Sequence, residues 1–388
     1  MSTHESQKEA FLDEFRGAVT NTREATGNGN HHSDAASIRD WFPDRASHHN
    51  GPSTTGVPRY DSEKFDYPNL VPNIIEKTWD PGPSQFAGGT DLLATGKPGS
   101  GKSTLANHLA MRELEVNRSK VVWRASTARS EWLPLAPWAT LALPAGISYE
   151  AVFEPRNPTE SSFTLSLDEL EGNVVRDIKR YDSPKDLNQN ILSPGQIHVV
   201  YPDPLMRGVQ DIYEAADDKQ YDAPAGRTLF HREDPSTHWW FGWILSRIEY
   251  GPFDWTTLIL DEIGDIAPED ARKDSFGTYQ KIELLKDTWV DARKKGLSIF
   301  SFGHAERDIH NMIRHKIRWR MTMGGNSNPT SKSDVVGFGQ VPLDWDITSD
   351  MDVGSGLVFN ESNFEKISWH DYPAAVDHKL KLERMGSA

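Results

Sequence analysis

One short segment of the chain carries the residue types that bind phosphate groups. Residues 96–103 read GKPGSGKS and fit the pattern G-x-x-x-x-G-K-[ST] in full. In such a loop the glycines allow successive backbone N–H groups to curl around a phosphate, and the lysine adds a positive charge. An apolar stretch, TDLLAT, precedes the segment, and an amphipathic helical pattern, KSTLANHLAMRELEVNR, follows it. This strand–loop–helix context predicts a nucleotide-binding loop, the Walker A motif.

The pattern assigns a role to each residue of the loop. Lys102 is expected to reach the β- and γ-phosphates, Ser103 to hold Mg²⁺ through its hydroxyl, and Thr104 to contact the α-phosphate. The helix that starts near Gly101 adds the positive end of its dipole. The predicted nucleotide-binding residues are Gly96, Pro98, Gly99, Ser100, Gly101, Lys102, Ser103 and Thr104.

A second segment supplies two carboxylates. In LILDEIGD, residues 258–265, an apolar run brings Asp261 to the carboxyl end of a strand, and Glu262 follows directly. Asp261 can hold the hydration shell of Mg²⁺, and Glu262 can polarise the attacking water as a general base. By itself, an Asp-Glu pair after an apolar run is often only a strand end that meets solvent. Together with the intact phosphate loop it predicts a Walker B motif, and hence an ATPase that uses ATP and Mg²⁺.

The elements that must position these residues alternate along the chain. Strand patterns at 120–125, 196–204, 256–262 and 297–304 are separated by helical patterns, of which 279–296 is the clearest. Such alternation predicts an α/β fold with a mostly parallel sheet flanked by helices. The expected class is a RecA-like P-loop NTPase core of the additional-strand, catalytic-Glu type.

The chain divides by composition into an arm, a core and an elaboration of the core. Residues 1–60 are polar, which predicts a disordered arm with one short amphipathic helix around 8–17 as a docking element. Residues 61–388 form the predicted ATPase domain, in which 126–250 is an insertion between the Walker A and Walker B strands. The aromatic segment 238–250, HWWFGWILSRIEY, is interpreted as a core helix.

Composition excludes several classes of protein. Cysteine is absent, so disulfide scaffolds, iron–sulfur clusters and Cys-based zinc sites are excluded. The formal net charge is −15. The acidic balance argues against a protein that coats nucleic acid with its whole surface, but it allows basic residues confined to a pore. No apolar run is long enough for a transmembrane segment. We expect a cytoplasmic protein, with association with a virion as the alternative location.

A further pattern of motifs follows the Asp-Glu strand. An Ala-Arg-x-x-Gly run ends a helix before a hydrophobic strand, an Asp-hydrophobic helix comes next, and a strand with an arginine closes the pattern. The matching residues are Ala292, Arg293, Gly296, Asp308, Ile309, Met312, Ile313 and Arg320. With the segments GSGLVFN and FEKISW, this order resembles the FtsK/HerA family of ring-forming DNA translocases. The resemblance covers the phosphate loop with its flanks and residues 256–370, and it is closest to compact viral genome-packaging ATPases, with an archaeal virus as one expected source.

The resemblance implies roles for three more residues. Arg293 would be an arginine finger that reaches the γ-phosphate bound to a neighbouring subunit, and Arg320 would be the strand arginine of the family. His304 stands where the family commonly has a glutamine sensor, and a histidine can donate a similar hydrogen bond but can also titrate. The alternative interpretations are a solvated helix terminus for Arg293 and an ion pair on a strand for Arg320. The implied catalytic set is Lys102, Glu262, Arg293, His304 and Arg320.

The resemblance also implies partners. The expected assembly is a homo-oligomeric ring, with a hexamer favoured, that moves along double-stranded DNA through backbone contacts. Candidate DNA-contacting residues are Lys332 in the loop 325–334, and Arg272 and Lys273 in the loop 267–276. The N-terminal arm is the expected contact for a virion or membrane-associated partner. Two alternatives stay open: a virion-assembly or extrusion ATPase that acts on protein or membrane cargo, and a slow nucleotide-binding switch protein.

Overall fold

The fold is built around one large sheet. A computed structural model describes residues 5–13, 15–16, 50–52, 58–59, 90–117, 119–127, 129–217, 235–274, 276–326, 346–360, 364–369 and 378–385. The predicted DNA-contacting residue Lys332 lies outside these residues. Among the described helices, none has both the length and the apolar character that crossing a bilayer requires.

The strands and the helices are each numbered in the order in which they occur along the chain. The strands are β1 (Asn50–Pro52), β2 (Pro58–Arg59), β3 (Asp91–Thr95), β4 (Lys120–Arg124), β5 (Ala139–Pro144), β6 (Tyr149–Pro155), β7 (Phe163–Ser166), β8 (Asp177–Tyr181), β9 (Ile197–Val200), β10 (Thr256–Leu260), β11 (Leu297–Gly303), β12 (Trp319–Met323), β13 (Ser355–Phe359), β14 (Phe364–Ser368) and β15 (His378–Arg384). The α-helices are α1 (residues 5–13 and 15–16), α2 (Lys102–Asn117), α3 (Leu167–Leu170), α4 (Pro184–Asp186), α5 (Val209–Asp217), α6 (Pro235–Tyr250), α7 (Thr278–Lys294), α8 (Asn311–Arg314) and α9 (Asp346–Ser349). Further helical turns, of the 3₁₀ or π type, lie at Leu133–Trp138, Leu187–Ile191, Ile263–Asp265 and Glu306–Asp308.

The large sheet has the strand order β14-β13-β12-β3-β11-β10-β4-β9-β5-β8. The strands from β12 to β8 in this order are parallel to their neighbours, and β13 and β14 are added in antiparallel fashion at one end. Parallel neighbours need crossover connections, which place helices on the faces of the sheet. The predicted mostly parallel sheet flanked by helices is therefore confirmed.

Alternating side chains of the central strands pack against different layers. Leu92 on β3 and Val121 on β4 join one apolar cluster, which includes the buried face of α2. Their neighbours Leu93 and Val122 join a second cluster, which includes α5, α6 and α7. Since successive side chains of a strand point to opposite faces, both faces of the sheet are covered. Helix α6 contributes three fully buried tryptophans to the second cluster, so the aromatic segment is a core helix as predicted; they are Trp239, Trp240 and Trp243.

The region predicted as an insertion both extends the large sheet and builds a small one. Strands β9, β5 and β8 lie beyond β4 at one end of the large sheet, whereas β6 and β7 pair with β15 in a three-stranded sheet. Helix α1 packs on this small sheet, with Phe11 4.8 Å from Phe153 and 5.3 Å from Phe163 between ring centroids. An ion pair of 2.8 Å joins Lys8 to Glu169.

Helix α1 is the docking helix predicted around residues 8–17, and its partner surface belongs to the same chain. This first part of the predicted arm is therefore ordered against the rest of the protein. Residues 17–49 lie outside the described residues. The division into an arm over 1–60 and an ATPase domain over 61–388 stays a prediction.

Candidate nucleotide-binding and hydrolytic site

The order of the central strands brings the predicted site residues to one edge of the sheet. Strands β3, β11, β10 and β4 are neighbours and parallel, so the segments that follow them leave the sheet on the same side. We call this side the carboxyl edge and the opposite one the amino edge. The phosphate loop follows β3, His304 follows β11, and Asp261 and Glu262 follow β10.

The phosphate loop depends on two glycines with left-handed backbone conformations. Gly99 has φ 80° and Gly101 has φ 91°, which residues with a Cβ rarely adopt. Gly101 is also crowded, since an added Cβ would lie 3.3 Å from the backbone nitrogen of Gly354. The backbone N–H of Gly96 donates to the carbonyl of Gly303 at 3.2 Å, which ties the start of the loop to β11.

Lys102 is folded back over the loop. Its Nζ atom donates to the carbonyl oxygens of Gly96 at 2.5 Å and Lys97 at 3.0 Å. Burial lowers the pKa of Lys102, and the negative charges of Glu262 and Asp261 oppose this shift. The amine is therefore held between the loop and the carboxylates, where a phosphate group would replace the carbonyls as its partner.

The other predicted loop residues take positions around this amine. Ser103 and Thr104 are half-buried in the first turn of α2, Ser100 is buried, and Pro98 is exposed at the tip of the loop. The hydroxyl of Ser100 is buried with no hydrogen-bond partner among the described residues. Buried polar atoms are rarely left unpaired. An unpaired hydroxyl at Ser100 is therefore expected of a loop that closes around a ligand.

Glu262 is oriented by its backbone and by the side chains of a histidine and an arginine. Its φ of 59° and ψ of 75° are left-handed, a strained conformation for a residue with a Cβ and one that is frequent at functional sites. The Glu262 Oε2 atom lies 3.4 Å from Nε2 of His304 and 3.9 Å from Nη1 of Arg129. Burial raises the pKa of Glu262, and His304 and Arg129 counteract that shift. The structure therefore brings His304 together with the predicted general base.

Asp261 lies deeper than Glu262 and contacts a carboxyl group that the motifs did not predict. The Asp261 residue is 8% exposed. Its carboxyl group lies against that of Glu131, and burial raises the pKa of both. The backbone carbonyl of Asp261 also accepts a hydrogen bond of 2.9 Å from Arg124.

Three charged residues near β4 were missed by the sequence interpretation. Arg124 ends the strand, and Arg129 and Glu131 lie in the segment that follows it. Arg124 and Arg129 both contact the carboxylate of Asp265, at 3.4 Å and 3.2 Å. The available signal was the presence of charged residues at the end of a buried strand and in the segment that follows it. It becomes informative only when β4 is known to be the neighbour of β10.

Arg293 lies at the amino edge, away from the phosphate loop of its own chain. Burial lowers the pKa of Arg293, as does the nearby charge of Arg318, and Asp91 opposes them. Asp91 is the first residue of β3, whereas the phosphate loop follows its last residue, Thr95. A strand of this length separates the two ends by about 13 Å at 3.3 Å per residue. The structure thus does not bring Arg293 together with the other predicted catalytic residues.

Arg320 is engaged inside the protein. It is buried on β12 and forms an ion pair of 2.9 Å with Glu306. Its Nη2 atom also donates to the carbonyl oxygen of Arg314 at 2.6 Å. The alternative interpretation, an ion pair on a strand, describes this arrangement, and no described contact joins Arg320 to the phosphate loop.

The residues at the carboxyl edge fit Mg²⁺ together with a nucleotide. The hydroxyl of Ser103 and the carboxyl groups of Asp261 and Glu131 are oxygen ligands, which Mg²⁺ prefers. Among the described residues, no group of three or more His, Cys, Asp or Glu side chains forms a metal site by itself. Mg²⁺ is usually held by one or two carboxylates together with substrate phosphates, so a site of this kind matches the donor set.

Comparisons with known proteins give matches at the level of structure alone. No protein-family model and no curated protein matches the chain. The genome packaging NTPase B204 from Sulfolobus turreted icosahedral virus 2, in complex with sulfate, matches with 14% identity over 74% of this chain and 96% of that chain, with a TM-score of 0.36.

Two further structures match over a similar share of the chain. VirB4 of Thermoanaerobacter pseudethanolicus matches with 13% identity over 74% of this chain and 91% of that chain, with a TM-score of 0.41. The N-terminal domain of zonular occludens toxin from Neisseria meningitidis matches with 13% identity over 76% of this chain and 93% of that chain, with a TM-score of 0.25. These are P-loop ATPases of the type that the sequence motifs resemble. Similarity this distant transfers no activity to the chain, whose function must follow from its own residues.

Proposed function

We propose that the chain is an ATP-hydrolysing motor that translocates double-stranded DNA. The observation that carries the hydrolytic part of this proposal is made at the carboxyl edge. There Lys102 of the phosphate loop lies close enough to Glu262 and Asp261 for both negative charges to raise its pKa against the effect of burial. A phosphate-binding loop and an oriented carboxylate at one edge are the two parts that hydrolysis of a nucleoside triphosphate requires.

The hydrolytic step uses the residues of this edge in distinct roles. The loop N–H groups and Lys102 hold the β- and γ-phosphates. Glu262 accepts a proton from the attacking water while the oxygen of that water bonds to the γ-phosphorus and the bond between the γ-phosphorus and ADP breaks. His304 and Arg129 hold the Glu262 carboxylate in place. When bound at Ser103 and Asp261, Mg²⁺ would neutralise charge on the phosphates.

The strand order supports the additional-strand class of such ATPases. Strand β11 lies between β3, which leads into the phosphate loop, and β10, which ends before Asp261. That strand carries His304 to the carboxylate of Glu262. The residue that the family resemblance places in the sensor position is therefore next to the proposed base.

The position of Arg293 supports an assembled ring. Its guanidinium group lies at the amino edge of its own chain. Any γ-phosphate that it contacts must therefore belong to a nucleotide bound by a neighbouring subunit. An arginine supplied in this way stabilises the negative charge of the transition state. We propose a homo-oligomeric ring on this basis, with a hexamer favoured by the family resemblance.

The proposed DNA contact lies in the segment that follows Glu262. Arg272 and Lys273 are exposed there, and Pro268 at the start of the segment forms an isolated bridge with Ile309. Contacts of this kind with phosphates are independent of sequence and sensitive to salt.

The test measures ATP hydrolysis by the purified chain with and without double-stranded DNA over a range of salt concentrations. We expect hydrolysis that DNA stimulates at low salt and that Glu262→Gln abolishes. The double variant Arg272→Ala/Lys273→Ala should keep the basal rate and lose the stimulation. Arg156→Ala/Lys379→Ala, which removes two exposed positive charges on the small sheet, is the matched control.

Two results would separate the parts of the proposal. Hydrolysis that DNA leaves unchanged at every salt concentration would exclude the translocase and leave the ATPase, with protein or membrane cargo as the next hypothesis to test. A wild-type chain that binds ATP without hydrolysing it would exclude the motor and favour a nucleotide-binding switch.

A further inference from the structure

Glu131 is a charged residue at the carboxyl edge that the proposed hydrolytic step leaves without a role. It lies in the segment that follows β4, and its Oε2 atom is buried with no hydrogen-bond donor from the described residues. Leaving a carboxylate oxygen in this condition costs free energy, because the oxygen loses its water without gaining a partner. An unpaired buried oxygen beside a phosphate loop indicates that a bound group is its partner.

The carboxyl group of Glu131 also contacts that of Asp261. Two carboxylates that touch repel each other unless a proton or a cation lies between them. The nearby charges of Arg129, Arg124 and Lys102 reduce the negative potential at Asp261. Neither Arg129 nor Lys102 donates a described hydrogen bond to the Glu131 carboxylate, so a cation of high charge would be the most effective partner for the pair.

One amide holds Glu131 at a fixed position relative to the phosphate loop. The Nδ2 group of Asn107, on α2, donates to the backbone carbonyl of Ser103 at 3.1 Å and to that of Glu131 at 2.8 Å. Asn107 is 2% exposed, so this bridge is shielded from water. The predicted Mg²⁺-binding turn of α2 and the segment that carries Glu131 are therefore tied together by the same side chain.

We propose that Glu131 is the second carboxylate of the divalent-cation site and holds the Mg²⁺ of the bound nucleotide together with Ser103 and Asp261. The inference rests on the proposed function, since the cation arrives with a nucleotide. It adds a ligand that neither the Walker motifs nor the family motifs contain. A site with two carboxylates, a hydroxyl and phosphate oxygens is within the usual range for Mg²⁺.

The test compares cation affinity in wild type, Glu131→Gln and Glu269→Gln. Mn²⁺ is titrated by electron paramagnetic resonance in the presence of a non-hydrolysable ATP analogue, and affinity for the analogue is measured separately in EDTA. We expect Glu131→Gln to weaken Mn²⁺ binding by about tenfold or more, the effect typical of residues that support a metal site. Its affinity for the analogue in EDTA should not fall, because only a negative charge has been removed.

Glu269→Gln is the matched control, because it removes one exposed carboxylate that follows the same Asp-Glu motif. We expect it to bind Mn²⁺ like wild type. Wild-type affinity in a folded Glu131→Gln variant would overturn the inference and leave the proposed function standing. A wild-type chain that binds no ATP analogue would overturn both.

A second measurement needs no variant at Glu131. With hydrogen peroxide as oxidant and ascorbate to reduce Fe³⁺ again, Fe²⁺ in place of Mg²⁺ generates hydroxyl radicals that cut the backbone close to the metal. In the wild-type chain with the ATP analogue, we expect cleavage near residues 103, 261 and 131. Cleavage at the first two positions with none in the segment 129–132 would overturn the inference even if Glu131→Gln failed to fold.

Discussion

The two edges of the large sheet differ in the groups that they gather. The carboxyl edge holds Lys102 of the phosphate loop near the carboxylates of Asp261 and Glu262, with Arg129 and His304 beside Glu262. The amino edge holds Arg293 near Arg318, and Arg318 forms an ion pair of 3.0 Å with Asp91. One edge has the residues proposed to bind and hydrolyse a nucleotide, and the other has an arginine that lies away from the phosphate loop of its own chain.

The difference follows from the polarity of a parallel sheet. Every loop after a parallel strand emerges at the carboxyl edge, and every returning helix ends at the amino edge. Helix α7 makes such a return over 17 residues, which is about 25 Å at 1.5 Å per residue. Arg293 is in its last turn, so a single chain cannot close its own site with this residue.

The largest expected effect tests this separation directly. Lys102→Ala should abolish nucleotide binding, and Arg293→Ala should lower kcat by about 10³-fold or more while nucleotide binding persists, as for arginine fingers in general. An equal mixture of the two variants should regain activity, because an intact loop then meets an intact arginine from its neighbour. Hydrolysis rates of each variant and of the mixture are the measurement.

Lys294→Ala is the control for this experiment, since Lys294 is the exposed neighbour of Arg293 on the same helix. It should hydrolyse ATP like wild type. A mixture that stays inactive, although size measurements show that the two variants assemble together, would mean that the edges do not complement each other.

The second prediction concerns Arg320, which lies on a strand between the two edges. Arg320→Met removes one partner of a buried ion pair and leaves Glu306 without its guanidinium, so the free energy of unfolding should fall by about 3–5 kcal/mol. Chemical denaturation measures this change. The double variant Arg320→Met/Glu306→Gln should recover part of the loss. If Arg320→Met keeps wild-type stability and loses hydrolysis instead, the residue belongs to the active site.

A smaller effect is expected from His304 at the carboxyl edge. His304→Ala removes a group 3.4 Å from the Glu262 carboxylate and should lower kcat by about 10²-fold, at the lower end of what a positioned catalytic group contributes. His304→Gln, which restores the residue common in the resembling family, should keep most of the activity. Steady-state kinetics decide, and a rise in KM at constant kcat would show that His304 serves binding instead.

The last prediction concerns the dependence of stability on pH and a lysine at the carboxyl-edge end of α7. Burial lowers the pKa of Lys281 to about 7, and its Nζ atom lies 2.7 Å from Nδ1 of His238. An unfolded chain keeps the usual value of 10.5, so it binds more protons between pH 7 and pH 10 than the folded chain does. The free energy of unfolding should therefore rise with pH across this window, by at most about 1.4 kcal/mol per unit from this group.

Urea denaturation at several pH values measures this contribution. Lys281→Met should lack it, so the difference between the variant and wild type should shrink as pH rises from 7 to 10. Lys294→Met changes an exposed lysine of the same helix and should follow the wild-type curve. Parallel curves for all three proteins would show that Lys281 stays charged when folded.

Local patterns in the sequence were enough to predict those parts of the site that lie within a single motif. The phosphate loop and the Asp261-Glu262 pair each sit in one continuous segment whose spacing reports its chemistry. The contact of Glu131 with Asp261 depends instead on the order β11-β10-β4, which joins segments far apart in the chain. Nothing in the spacing of these segments specifies which strands become neighbours.

The burial of side chains and the identity of their partners were the other properties that the amino-acid sequence did not reveal. An arginine on a strand has the same pattern whether it faces a nucleotide or a carboxylate, so Arg320 could be placed on β12 without its partner Glu306 being known. Phe11 and Phe15 marked α1 as amphipathic, but the small sheet that covers them is formed by β6, β7 and the distant β15. Packing partners, rather than elements, were the missing information.

The outermost strands of the large sheet set a condition on how subunits can meet. Strand β8 reads DIKRY and β14 reads FEKIS, so charged side chains lie on both outermost strands of the sheet that the described residues form. Charges in such places discourage strand-to-strand pairing with another chain. In the proposed ring, neighbouring copies would then meet through helix and loop surfaces, and the sheets of adjacent subunits would stay separate.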